Sequence, residues 1–137
     1  MDYQFSVEVK TGYLHVRVRG DNTIESVRRW VRDGLEALKK NRCGRVLVEE
    51  CLEGESLSDN DTFAVVVESI RAAGSLVTHM AYVDANPAHR KEEIEFSEYV
   101  ARLRGMNMRV FPDVAKAEAW LGQDSSGPGG GPTASPS

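Results

Sequence analysis

The side chains best able to do chemistry crowd into one stretch. Between positions 49 and 61 stand Glu49, Glu50, Glu53, Glu55, Asp59 and Asp61, with no Lys or Arg among them. Carboxylates in such numbers suit a cation, a helix N-terminus or a basic partner. A calcium loop demands a tighter alternation of ligands than this spacing offers, so no metal is expected. Acids at the start of a helix complement its dipole, and Ser58 can cap the helix that follows, with Asp61 completing a box-like spacing. The functional expectation is a recognition surface formed by Glu49, Glu50, Glu53, Glu55, Ser56, Ser58 and Asp59, suited to an arginine-bearing protein partner. Ser56 and Ser58 also stand where free backbone N–H groups would hold a phosphoryl group, although the neighbouring carboxylates would repel it.

Other chemistries find less support. Cys51 follows a strand in a position where α/β folds expose nucleophiles, yet the acids around it raise a thiol pKa, the opposite of activation. No Gly-x-Gly-x-x-Gly or Gly-x-x-x-x-Gly-Lys follows any strand, and no Cys/His cluster has zinc spacing. An acidic pair after an early strand with an acceptor Asp after a middle one, as a phosphorelay receiver needs, is missing as well. His15, His79 and His89 read as isolated histidines; only His89 falls where a loop at the C-terminal edge of a parallel sheet would place a functional group. No base, nucleophile and oxyanion donor converge, so the chain is expected not to be an enzyme and to need no cofactor.

The elements that must position these groups follow from periodicity. Tyr3, Phe5, Val7 and Val9 alternate with Gln4, Ser6, Glu8 and Lys10, and Leu14, Val16 and Val18 with His15, Arg17 and Arg19. The short Lys10-Thr11-Gly12 link makes these an antiparallel hairpin with one wet face, to which His15 points. Ile24, Val27, Val31, Leu35 and Leu38 recur at helical spacing after Asn22 or Thr23 as cap, and Gly34 within that helix implies close packing on a strand. Residues 45–50 read as a strand covered on both sides. Ser58 opens a second helix with Phe63, Val66, Val67 and Ile70 inward, ended by Gly74.

Residues 77–84 make a third core strand. Asn86 and Pro87 then read as cap and first helical position of a helix with Phe96, Tyr99, Val100 and Leu103 inward. Ile94 falls off that stripe, so either this helix bends or Ile94 is exposed. Residues 108–111 form the last strand, and Pro112-Asp113 opens a helix with Val114, Ala117 and Leu121 inward. Trp30 and Trp120 flank apolar stripes as rims of the core. The order β-β-α-β-α-β-α-β-α implies an N-terminal β-hairpin, then βα units: an α/β fold with a mixed, mostly parallel five-stranded sheet and four helices.

The chain has 137 residues, 41% of them apolar and 28% charged, with formal net charge −4. That is enough for one core without disulfides, and Cys43 and Cys51 are expected to be free thiols in a reducing, cytoplasmic compartment. The charge gives no general attraction to nucleic acid. No apolar run spans a bilayer, and the start lacks a signal-peptide pattern. After Leu121 the sequence turns to Gly, Ser and Pro, so residues 1–121 are expected to form a single domain and 122–137 a disordered tail.

The hairpin ending Val-Arg-Val-Arg-Gly, the Val-Leu-Val-Glu strand and above all Met-Arg-Val-Phe-Pro-Asp-Val-Ala-Lys-Ala-Glu-Ala-Trp-Leu at 108–121 resemble the stand-alone bacterial SpoIIAA-like proteins of the STAS superfamily, some described as STAS/SEC14-like. The likeness covers residues 3–121. It implies strands that succeed one another in a βα superhelix. It also implies a non-catalytic switch that binds a partner protein, a minority of members holding small apolar or nucleotide ligands. In the phosphorylated members the acceptor serine sits in an Asp-Ser-Ser-Gly-like motif after the middle strand. Here that place reads Gly54-Glu55-Ser56-Leu57-Ser58-Asp59, without the motif; Asp124-Ser125-Ser126-Gly127 lies elsewhere. The expectation is a regulatory module binding a partner through residues 49–61 and the following helix. The alternative is a carrier or sensor for a small apolar ligand or lipid, held near Trp30, Tyr82 and Phe96.

Overall fold

The structure, a computed structural model, describes residues 2–126. Strands β1 (Gln4–Lys10) and β2 (Tyr13–Asp21) form the expected antiparallel hairpin, and Gly12, at φ +87°, takes the left-handed conformation its tight turn requires. Helix α1 (Ile24–Lys40) is capped by the Thr23 hydroxyl, which accepts from the Ser26 N–H at 3.1 Å, and carries Lys39 and Lys40 at its negative end. There follow β3 (Arg45–Glu53), α2 (Asp59–Ala73), β4 (His79–Asp84), α3 (Lys91–Leu103), β5 (Met108–Val110) and α4 (Val114–Ser126). The strands lie in chain order β1-β2-β3-β4-β5, parallel from β2 onward.

Helices α1, α2 and α3 cover one face of the sheet and α4 the other. The first face buries Leu14, Val16, Val18, Val46, Val48 and Leu52; the second buries Leu47, Ala81 and Val83 against Ala117 and Leu121. Trp120 packs at the rim, its ring tilted 5.6 Å from Phe111. Cys43 and Cys51 are both free. No helix among the described residues is long and apolar enough to cross a membrane. Helix α4 runs past Leu121 to Ser126; the rest of the expected tail, 127–137, lies outside the described residues.

Four local expectations are corrected. Strand β3 runs three residues beyond the expected 45–50, to Glu53, held by the pairing of Asp21 with Glu53, so the acidic stretch 49–61 begins within the sheet. His15 is buried, 2% exposed, with its Nε2 3.0 Å from Glu49 Oε1, on the face of the sheet that α4 covers, whereas Arg17 and Arg19 farther along the same face stay exposed. On α2 the buried stripe runs through Thr62 and Val65, leaving Phe63 exposed. Finally, Asn86 and Pro87 do not open α3: Asp84 Oδ1 accepts from the Asn86 N–H and Asn86 Oδ1 from the Ala88 N–H, closing a turn, and the helix starts at Lys91. Its inner face is Glu93, Val100 and Ala101, while Tyr99 and Leu103 stay 61% and 69% exposed. Ile94 therefore points inward without any bend. Two stripes competed on this helix, and the one with the smaller residues faces the interior.

Candidate functional site

The period of a strand decides where the acids go. On β3, Val46, Val48, Glu50 and Leu52 share the face toward α1–α3, and the parallel register pairs Val48 with Tyr82 and Glu50 with Asp84. Two carboxylates thus stand side by side at the C-terminal ends of adjacent strands, beneath the helices. Such carboxyl ends are where open α/β sheets hold ligands.

Each acid is met by donors from a different element. Glu50, 5% exposed, accepts from the Tyr82 hydroxyl at 2.5 Å and from the Trp30 indole N–H of α1 at 2.8 Å. Asp84 Oδ2 lies 2.7 Å from His89 Nδ1, both side chains almost wholly buried. Asn86 fixes the tautomer: its Nδ2, which can only donate, contacts the Leu52 carbonyl at 2.8 Å and His89 Nε2 at 3.3 Å. His89 Nε2 is then the acceptor, and Nδ1–H donates to Asp84. A third acid, Glu93 of α3, accepts from the Leu57 N–H at 2.9 Å and the Thr62 hydroxyl at 3.3 Å.

No Lys or Arg stands among these partners, and charge is costly at a buried site. Burial pushes the Glu50 carboxyl up to about 7 from 4.5, and the Asp84 charge adds to that, against the pull of the Tyr82 and Trp30 hydrogen bonds. Burial, followed by the Glu50 charge, likewise lifts the Tyr82 phenol well above its ordinary value. Glu50, Asp84 and His89 bring one ligand-type atom each within 4.8 Å of one another, a spacing that a metal ion could bridge. Hydrogen bonds hold the three in place, His89 on Asp84 and the Trp30 and Tyr82 donors on Glu50.

The cluster closes one end of a cavity of about 130 Å³ between the sheet and α1–α3. Val46, Val48 and Met80 form its floor, Val31 and Leu35 one wall, and Val65, Ile70 and Ile94 the others. Gly34 of α1 also lines it, and a Cβ built there meets nothing within 4 Å. The expected close packing of Gly34 on a strand is therefore corrected: the glycine leaves space. At about 24 cal/mol per Å³, a void of this size forgoes roughly 3 kcal/mol of packing.

The sequence-predicted residues divide accordingly. Trp30 and Tyr82 line the cavity, as the ligand alternative expected; Phe96 does not, but lies on the outer side of α3 in a groove with Phe63, Tyr99 and Leu103. Glu50 is a cavity residue, so it cannot belong to an exposed recognition surface. Glu49 points to the α4 side of the sheet, toward His15 and Arg17. Glu53 and Glu55 are exposed, and Asp59 lies 3.6 Å from Arg90 in a solvent-accessible ion pair. Ser58 caps α2, accepting from the Asp61 N–H at 3.1 Å, and the Ser56 hydroxyl accepts from the Arg90 N–H at 3.1 Å. Asp84, Asn86 and Glu93 were missed as site residues. The signal for Asp84 was its place at the end of the core strand expected over 77–84.

No protein-family model matches the chain, and no curated protein does. Among solved structures it is similar to a substituted form of RsbS from Moorella thermoacetica, with TM-score 0.55 and 18% identity over 87% of this chain and 95% of that one. A protein of the DUF3478 family from Shewanella loihica PV-4, described as having a SpoIIAA-like fold, gives TM-score 0.54 and 18% identity over 87% and 93%. The anti-sigma factor antagonist SpoIIAA in its unphosphorylated form gives TM-score 0.45 and 14% identity over 85% and 94%. The first two establish the fold as SpoIIAA-like, the fold that residues 108–121 and the leading hairpin resemble.

Proposed function

We propose that this chain is a non-catalytic regulatory module whose state is set by a small, mostly apolar ligand held between the sheet and helices α1–α3. The observation that carries the reading is the cavity itself: apolar walls, one polar end, and a helix glycine that keeps space open at a stability cost. Pockets of this make-up, with a few convergent polar groups and a perturbed carboxyl, are the default binding sites of folded domains. The SpoIIAA-like fold, whose stand-alone members the resemblance describes as switches, supports the regulatory half.

The cavity wall also reaches an exposed loop. Leu57 lines it, and the Leu57 N–H is held by Glu93 of the opposite wall, while Ser56 next to it holds the Arg90 N–H before α3. The loop between β3 and α2 is thus part of the wall. Occupancy would move Glu93 or Leu57 and with them the exposed Glu53, Glu55 and Asp59, the acids that remain available to a basic protein partner. Cavity and acidic loop become input and output of one device. The test is native mass spectrometry of the protein purified under mild conditions from its own cells. A retained small molecule, lost on unfolding and displaced by toluene, is expected; a protein that carries nothing and gains no thermal stability from any small apolar compound would refute the reading.

A further inference from the structure

The polar end of the cavity selects the ligand's head by charge. Its ionisable lining consists of three carboxyl groups, Glu50, Asp84 and Glu93, together with His89 and the Tyr82 phenol; no Lys or Arg lines the cavity among the described residues. His89 offers nothing to an anion, because its Nδ1–H is spent on Asp84 and its Nε2 accepts from Asn86. A fatty acid or phosphate head would place a negative charge against these acids with no cation to pair it. A protonated amine supplies what is lacking, since an ammonium group offers three donors and no acceptor. Taking the cavity as a ligand site, we infer that its ligand is a small aromatic or aliphatic primary amine, the ammonium seated between Glu50 and Asp84 and the apolar body among Val31, Leu35, Val65 and Ile70.

Size fits the same class. A cavity of about 130 Å³ is close to the ~150 Å³ that accommodates one benzene molecule, so the body is a single ring or a chain of similar bulk. A long lipid tail exceeds it.

Proton balance follows from the groups that face Glu50. They are Trp30 from α1, Tyr82 and Asp84 from β4 and His89 from the turn after β4; Glu93 of α3 lines the same cavity and acts on Tyr82, while α2 contributes only uncharged side chains to the lining. With the carboxyl near 7, the empty site holds a proton on Glu50 for about half the time at neutral pH. An incoming ammonium favours the carboxylate, so that proton leaves to solvent as the ion pair forms. Binding then weakens about tenfold from pH 8 to pH 6, where Glu50 must first be deprotonated.

The experiment is calorimetry on the full chain with four probes of one shape: toluene, benzyl alcohol, benzylamine and benzoate. The inference expects benzylamine to bind at least tenfold more tightly than benzyl alcohol at pH 8 and benzoate not to bind. It also expects proton release near pH 7, read as a heat that changes between two buffers of different ionisation enthalpy. Toluene binding should be independent of pH, and Glu50→Gln should lose the amine preference while still taking up toluene. Benzyl alcohol or benzoate binding as well as benzylamine would overturn the amine head and leave the apolar pocket standing. Failure of all four probes, toluene included, would overturn both. The preference for benzylamine over benzyl alcohol and benzoate on the unsubstituted chain decides the matter even if Glu50→Gln does not fold.

Discussion

Glu50 should make this protein less stable as pH rises through neutrality. Its carboxyl titrates near 7 in the folded chain against 4.5 when unperturbed, chiefly because it is buried. Below about pH 4.5 both states hold the proton and the group contributes nothing. Between 4.5 and 7 the unfolded chain releases it and the folded chain keeps it, so stability falls as pH rises, and above 7 the full penalty is present. At 1.36 kcal/mol per pH unit the gap amounts to roughly 3 kcal/mol. Glu50→Gln carries no charge at any pH. Its amide faces the Trp30 indole N–H with a donor in one orientation, which adds a fixed cost of about 1 to 2 kcal/mol. That offset does not vary with pH, so the informative quantity is the change in the difference. Urea unfolding of both proteins from pH 4.5 to 8.5 should show the wild type losing about 3 kcal/mol relative to the variant. Curves that remain parallel across the window would mean that Glu50 is solvated in the folded state, and the argument for a dry polar end would fall with it.

Gly34→Ala should raise stability by about 1 kcal/mol, or roughly 4 °C in melting temperature, because the added methyl meets no neighbour and the helix gains propensity; calorimetric scanning reads this. Gly34→Leu should fill the cavity and abolish uptake of toluene without unfolding the chain. Tyr99→Ser should change stability by less than about 0.5 kcal/mol, whereas Val100→Ala should cost roughly 1 to 3 kcal/mol, a contrast in chemical denaturation that the reverse phase of α3 would invert. Glu53→Lys with Glu55→Lys should alter stability by less than about 1 kcal/mol and remove salt-sensitive binding of a basic partner.

Most of the architecture was legible because strict alternation and helical spacing carry it. The hairpin, the succession of strands and helices along the chain and the Thr23 and Ser58 caps all follow from patterns a few residues long, while the neighbour-to-neighbour strand order is what the family resemblance implied. What local pattern could not decide was which of two stripes a helix buries. Phe96, Tyr99 and Leu103 outweigh Glu93, Ile94, Ser97 and Ala101 in hydrophobicity, yet the second set faces inward, because contact with α2, β5 and the cavity depends on shape as well as on apolar area. Asn86-Pro87 misled in a similar way, since an Asn before Pro caps a helix or closes a turn equally well until Asp84 claims its N–H. The site itself was half visible. Trp30, Tyr82 and the edge position of His89 pointed to it, but Glu50 was grouped with the acids that follow it in the chain. Its period-2 kinship with Val46 and Val48 would have placed it inside. Asp84 and Glu93 needed the register and the helix phase, which only the fold supplies.

The central claim is that the space between the sheet and α1–α3 takes up small molecules and that the β3–α2 loop feels their presence. Methyl-resolved and amide NMR during titration with toluene and benzylamine tests it most directly. Shifts are predicted at the Val31, Leu35, Val65 and Ile70 methyls, accompanied by slowed hydrogen exchange at the Leu57 amide that Glu93 holds. Shifts confined to the outer groove of Phe63, Tyr99 and Leu103, or none in the cavity at millimolar ligand, would contradict it.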